Sequence, residues 1–182
     1  MTSDDQQSVE SGDEATQASK KAGRLETRPF PRKALADALK VVHAIKDNNA
    51  GKPYPPQQIA DAIGRKPRSS EFGVILSAAQ TYGLTEGNTR GASVSLTDLG
   101  RKIAYPKNPE DEQDGNFSAF NNVDVFRNVY KHYENNKVPE TKFFRNTLIS
   151  EFKINESFVD EFIEIFGKSS VSRHKYARES CI

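Results

Sequence analysis

Between residues 32 and 96 the apolar spacing of the chain changes in one fixed order: three stretches at helical spacing, then two short stretches at strand spacing. Leu35, Ala38, Leu39, Val42 and Ile45 lie on one face of a helix over residues 32–48, which Asn48, Asn49 and Gly51 end. Tyr54-Pro55-Pro56 opens a second helix, since proline is tolerated in a first turn, and Ile59, Ala60 and Ile63 point inward before Gly64 stops it. Ser69 and Ser70 supply N-caps for a third helix reaching Tyr82, with Phe72, Ile75, Leu76 and Ala79 as its buried stripe. Ser70, Gly73, Ser77, Gln80 and Thr81 fall on its other faces, and Gly73 reads as a close-packing position. Leu84-Thr85-Glu86 and Ser93-Val94-Ser95-Leu96 then read as two strands joined through Gly87-Asn88-Thr89-Arg90-Gly91, residues suited to a turn. Thr97 caps a last short helix through Leu99, Ile103 and Ala104.

The flanks are more polar. Only 35% of the 182 residues are hydrophobic, 28% are charged and none is Trp, so part of the chain is expected to stay outside any core. Residues 1–30 are rich in Ser, Gln, Asp and Glu and are expected to form a disordered tail, with Phe30 stapling onto the helical domain. Residues 106–118 hold two prolines and several acids and read as a linker. Eight of the eleven Phe residues fall within 120–166, enough for a three-helix extension over residues 119–167. Its helices carry Phe120 to Tyr133, Phe143 to Phe152 after Pro139, and Phe158 to Phe166 after an Asn155 cap. Residues 168–182 read as a flexible tail after Gly167. The fold class expected is mostly α with a small β-hairpin.

Several residue runs resemble a known pattern. Ile59-Ala60-Asp61-Ala62-Ile63-Gly64 resembles the second helix of prokaryotic winged helix-turn-helix domains. Residues 76–87, Leu-Ser-Ala-Ala-Gln-Thr-Tyr-Gly-Leu-Thr-Glu-Gly, resemble their recognition helix running into the wing. Residues 95–104 are similar to the helix after the wing, with Leu96-Thr97-Asp98-Leu99-Gly100 in a Leu-Thr-x-x-Gly arrangement. The likeness covers residues 31–105. The later segment around Phe143-Phe144-Arg145 is similar to the accessory part of winged-helix modules in multidomain effector proteins. The resemblance implies either a DNA-binding protein of transcription regulation or a protein-interaction or dimerisation module.

Charge bears on the first of these. Residues 1–30 hold six acids and four bases, residues 31–105 eleven bases and six acids, and residues 106–182 eleven bases and thirteen acids. The balances of −2, +5 and −2 sum to the net +1, so the basic excess sits where the helix-turn-helix is expected. In that fold the start of the recognition helix enters the major groove. Arg65, Lys66 and Arg68 there are candidates for phosphate contact, with Ser69, Ser70 and the first backbone N–H groups of the helix. Ser77 and Gln80 are candidates for contact along the helix and Arg90 for contact at the wing tip. Against this, residues 69–82 contain no Lys or Arg and do contain Glu71, and both serines also serve as caps.

No chemistry of the catalytic kind is legible. His43, His132 and His174 are far apart, Cys181 is a lone thiol, and no Gly-flanked serine elbow or Gly-Lys-Ser phosphate loop occurs. No enzyme activity, metal or cofactor is therefore expected. No apolar run reaches the roughly 18 residues of a membrane span, and no apolar leader core occurs near Met1. With a single cysteine, a cytoplasmic home is expected. The partners expected are double-stranded DNA and, through the Phe-rich extension, another protein or a second copy.

Overall fold

The computed structural model describes residues 28–134 and 138–177, with side chains described through residue 170. Residues 1–27 of the tail expected over residues 1–30, and the lone Cys181, lie outside the described residues. The described chain is mostly helical, with one small antiparallel sheet.

The first helix, α1 (Leu35–Asn49), buries Leu35, Ala38, Val41, Val42 and Ile45 and ends where Ala50 takes a left-handed φ of 48°. The next, α2 (Pro56–Ala62), has its proline in the first turn, where the missing N–H costs nothing. Then α3 (Ser70–Thr81) starts on Ser69, whose hydroxyl accepts from Phe72 N at 3.2 Å, and buries Phe72, Ile75 and Leu76. Gly83 comes next with φ of 72° and turns the chain into β1 (Thr85–Glu86), which pairs antiparallel with β2 (Ser95–Leu96) in the register Thr85↔Leu96 and Glu86↔Ser95. A single bridge between Tyr54 and Val94 adds a third rung, with both N–H···O bonds at 2.9 Å. Apolar spacing carries no trace of it: prolines at 53 and 55 lack N–H groups, so the strand cannot extend beyond one residue.

The helix α4 (Asp98–Ala104) begins at Thr97, whose hydroxyl accepts from Gly100 N at 3.0 Å and donates to Gly83 O at 2.6 Å. The expected linker is instead largely helix. In α5 (Pro109–Asn121), Asn108 caps through Asp111 N at 2.7 Å, proline opens the first turn, and Glu110, Asp111 and Glu112 face the positive end of the helix dipole. The acidity that suggested a linker is the composition of a helix start. Gly115 of α5 packs on Ile103, close enough that a Cβ would lie 2.6 Å from Ile103 Cγ1.

Three more helices follow among the described residues: α6 (Asp124–Tyr133), α7 (Thr141–Ser150) and, after a 3-10 turn at Glu156–Phe158 capped by Asn155, α8 (Val159–Ala177). These three match the three helices expected over residues 119–167, with α5 standing ahead of them in the expected linker. Gly167 does not end the extension: α8 runs on to Ala177 and Ser169 is buried.

The apolar residues of both halves form one continuous core. Phe126 is its hub, with ring centroids 5.4 Å from Phe120 and Phe162, 5.5 Å from Phe166 and 6.4 Å from Tyr82. Polar groups close the same seam. Ser169 of α8 accepts from Leu35 N at 3.1 Å, capping α1, which has no cap of its own, and its hydroxyl meets that of Tyr82 at 3.0 Å. Tyr82 in turn donates to Lys33 O at 3.1 Å. Asn122 donates to Tyr82 O at 3.0 Å.

The residues ahead of α1 are packed from Arg28 on, so the tail does not run through residue 30, and Phe30 staples onto the core as expected. Phe30 is buried edge-on against Phe162 at 5.2 Å, while the Arg28 guanidinium stacks 4.4 Å above Phe158 and pairs with Glu161. This arm runs beside α3. No helix among the described residues is long and apolar enough to cross a membrane.

Candidate nucleic-acid interface

The face of α3 turned away from the core carries Ser70, Glu71, Ser77, Gln80 and Thr81, all exposed. Its start is fed by residues 65–69. The Ser69 hydroxyl donates to Lys66 O at 2.8 Å while accepting from Phe72 N, so one side chain both closes the loop and starts the helix.

The cations divide into two kinds. Arg65 Nε lies 3.3 Å from Glu71 Oε1, and Lys33 Nζ lies 3.9 Å from the same oxygen. Lys66, Arg68 and Arg90 are exposed and have no ion-pair partner among the described residues, and Arg32 on the arm shares that state. An exposed cation without a carboxylate partner keeps its whole charge for an incoming phosphate. Glu71 sits at the second position of the helix, where it satisfies the helix dipole and opposes an external anion.

The ribbon holds to α3 through Gln80, whose amide donates to Gly87 O. Gln80, a candidate for contact along the helix, therefore spends an N–H on positioning the β1–β2 connection. Arg90 stands within that connection, with its backbone N–H on Asn88 Oδ1 at 2.9 Å. Arg65, Lys66, Arg68, Ser69 and Ser70 come together at the start of α3. Ser77 lies further along the same helix, and Gln80 links it to the connection that carries Arg90.

One feature of the site is not evident from the sequence. The arm and α3 enclose an open groove of about 580 Å³, with Arg28, Phe30 and Arg32 along one wall and Ser70, Gly73, Val74, Ser77 and Thr81 along the other. Gly73 is not the close-packing position expected: a Cβ there would meet nothing within 4 Å. Small side chains form the floor because nothing in the described chain packs on it. The signal available was Arg28-Pro29-Phe30-Pro31-Arg32, in which one large apolar residue stands between two prolines and two arginines.

Among the described residues, no three His, Cys, Asp or Glu side chains gather where they could hold a metal ion. The strongest displaced acidity belongs to Tyr82, whose phenol is pushed far up, first by burial and then by the nearby Asp37 carboxylate, with the Ser169 hydrogen bond working the other way. Tyr82 lies in the seam, away from the groove. No family model matches the chain, and no curated protein or solved structure is similar enough to it to be matched.

Proposed function

We propose that residues 31–105 are a winged-helix domain that binds double-stranded DNA, and that the protein acts in regulation by binding and not as an enzyme. One observation carries the reading: exposed Lys66 and Arg68, free of carboxylate partners among the described residues, stand at the start of an exposed helix whose far end is tied by Gln80 to a ribbon carrying Arg90. The order of elements supports it, since α1, the Tyr54 rung, α2, α3 and the β1–β2 ribbon succeed one another as in a winged helix. In this reading α3 approaches the major groove, Lys66 and Arg68 take phosphates, and Arg90 reaches a neighbouring groove or backbone. With no Arg or Lys, with Gln80 and Thr81 donating to backbone carbonyls and with only Ser70 and Ser77 as further uncharged polar side chains, α3 supports binding dominated by the phosphate backbone, with weak base discrimination.

Fluorescence anisotropy with a 30-base-pair duplex across a salt series tests this. Replacing Arg65, Lys66, Arg68 and Arg90 together by Ala is expected to weaken binding at least tenfold at low salt. The log–log salt slope should fall by up to about 3.6, roughly 0.9 per phosphate contact. Glu71→Gln removes a repulsive charge and releases Arg65, and is expected to tighten binding a few-fold. Affinity unchanged in both variants overturns the reading.

A second reading, an interaction module, is favoured by Phe143, 57% exposed beside buried Phe144, and by Val138 at 52%. The patch is smaller than the Phe-rich sequence suggests, because Phe144 is in the core and Arg28 lies over Phe158. Sedimentation that shifts with protein concentration and stops shifting on Phe143→Ser supports this reading. A single concentration-independent species counts against it.

A further inference from the structure

Three features converge on the groove beside α3. The first is where the chain enters it: Arg28, the first described residue, lines its wall, so the 27 residues before it are attached at the edge of the groove. The second is charge. Around the start of α3, Arg32, Lys33, Arg65, Lys66 and Arg68 face the single carboxylate of Glu71, an excess of four positive charges (five minus one). Residues 1–19 carry Asp4, Asp5, Glu10, Asp13 and Glu14 and no Lys or Arg, a run of five negative charges. The third is space: the groove is open along Gly73, with the hydroxyls of Ser70 and Ser77 facing carboxylates and backbone, while that of Thr81 donates to Ser77 O at 2.9 Å.

We propose that the acidic stretch of residues 4–14 docks on the groove and on the cations at the start of α3, as an internal competitor for the phosphates of DNA. The proposal rests on the DNA-binding reading for its consequence, but the docking is a claim of its own. Reach is sufficient: 13 residues lie between Glu14 and Arg28, a span of at most about 50 Å. Tethering supplies an effective concentration on the order of millimolar, so a contact too weak to hold between separate molecules is occupied within one. Charge pairing of this sort is screened as salt rises, so the competition is strongest at low ionic strength. The occupant is this segment and not a second copy, because the acidic run and the groove are joined by one short connection in the same chain.

The test compares the full chain with the full chain carrying D4N, D5N, E10Q, D13N and E14Q. In ¹H–¹⁵N correlation spectra the amides of Arg32, Lys66, Arg68, Ser70, Gly73 and Ser77 are expected to shift between the two, and 0.5 M NaCl is expected to move the unmodified chain to the positions of the variant. Unchanged amides at those residues overturn the docking. In duplex anisotropy at low salt the variant is expected to bind about tenfold tighter, with the two affinities converging as salt rises; equal affinities overturn the competition. If neither chain binds duplex while the amides do shift, the DNA reading falls and the docking stands.

Discussion

Some positions in this fold are decided by a single atom. Gly100 is one: a Cβ there would lie 2.1 Å from Leu84 O and 3.1 Å from Leu84 C, both backbone atoms that cannot swing aside. The same carbonyl accepts from Thr97 N at 3.1 Å, so moving it breaks the junction between β1 and α4. Gly100→Ala is therefore expected to cost about 3 kcal/mol through overpacking, measured as a lowered urea midpoint with unchanged slope. An equally stable variant would mean that α4 slides freely on the ribbon. The glycine of the Leu-Thr-x-x-Gly arrangement is thus explained by close backbone approach, and Thr97 by its double role as cap and clasp.

At the scale of elements, the join between the two halves runs through Tyr82 and Ser169. Burial favours the neutral phenol, so its pKa is raised above the ordinary value of 10.0. Above that pH the unfolded chain releases the proton while the folded chain keeps it, so the unfolded state binds fewer protons and stability falls as pH rises. The contribution is fully present below pH 10 and is lost on the alkaline side. Tyr82→Phe is expected to cost about 1–3 kcal/mol at pH 8, because Lys33 O and Ser169 lose a buried partner. Urea unfolding at pH 8 and pH 11 should show that cost shrinking at the higher pH, since Phe has no proton to lose. A difference that stays constant between the two pH values would remove Tyr82 from this role. The elements were unequally legible. Periodicity gave α1, α3 and α4 because Leu35, Val42, Phe72, Leu76 and Ile103 repeat on one face and are buried. It missed α5, whose buried residues Gly115, Ala119 and Phe120 make too thin a stripe to stand out from eight polar neighbours. It stopped α8 early because Gly167 and Ser169 look like chain-end residues, although Ser169 caps another helix across the seam. Contacts between distant residues leave no periodic mark. For the same reason the cations of the candidate interface were legible from composition, while the groove made by the arm and α3 was not.

For the whole molecule the question is whether two halves fold or one. The order of elements suggests a module over residues 31–105 with an appendage, but the core does not respect that division. Phe126, fully buried on α6, touches Tyr82 of the first half as well as Phe120, Phe162 and Phe166 of the second, and Phe30 inserts against Phe162. Removing its ring leaves a cavity bordered by both halves, and Phe126→Ala is expected to cost about 3–5 kcal/mol. The distribution of the loss is more telling than its size. With a shared core, native-state hydrogen exchange should speed up at the amides of α1 and α3 as much as at those of α6 and α8, because all open in one cooperative event. With independent halves, only α6 and α8 would lose protection. One cooperative unit also bears on function: α3 and its cations would then be held in place by the extension, and a substitution at Phe126, which lies in the core and not in the groove, would weaken duplex binding only to the extent that it unfolds the whole chain.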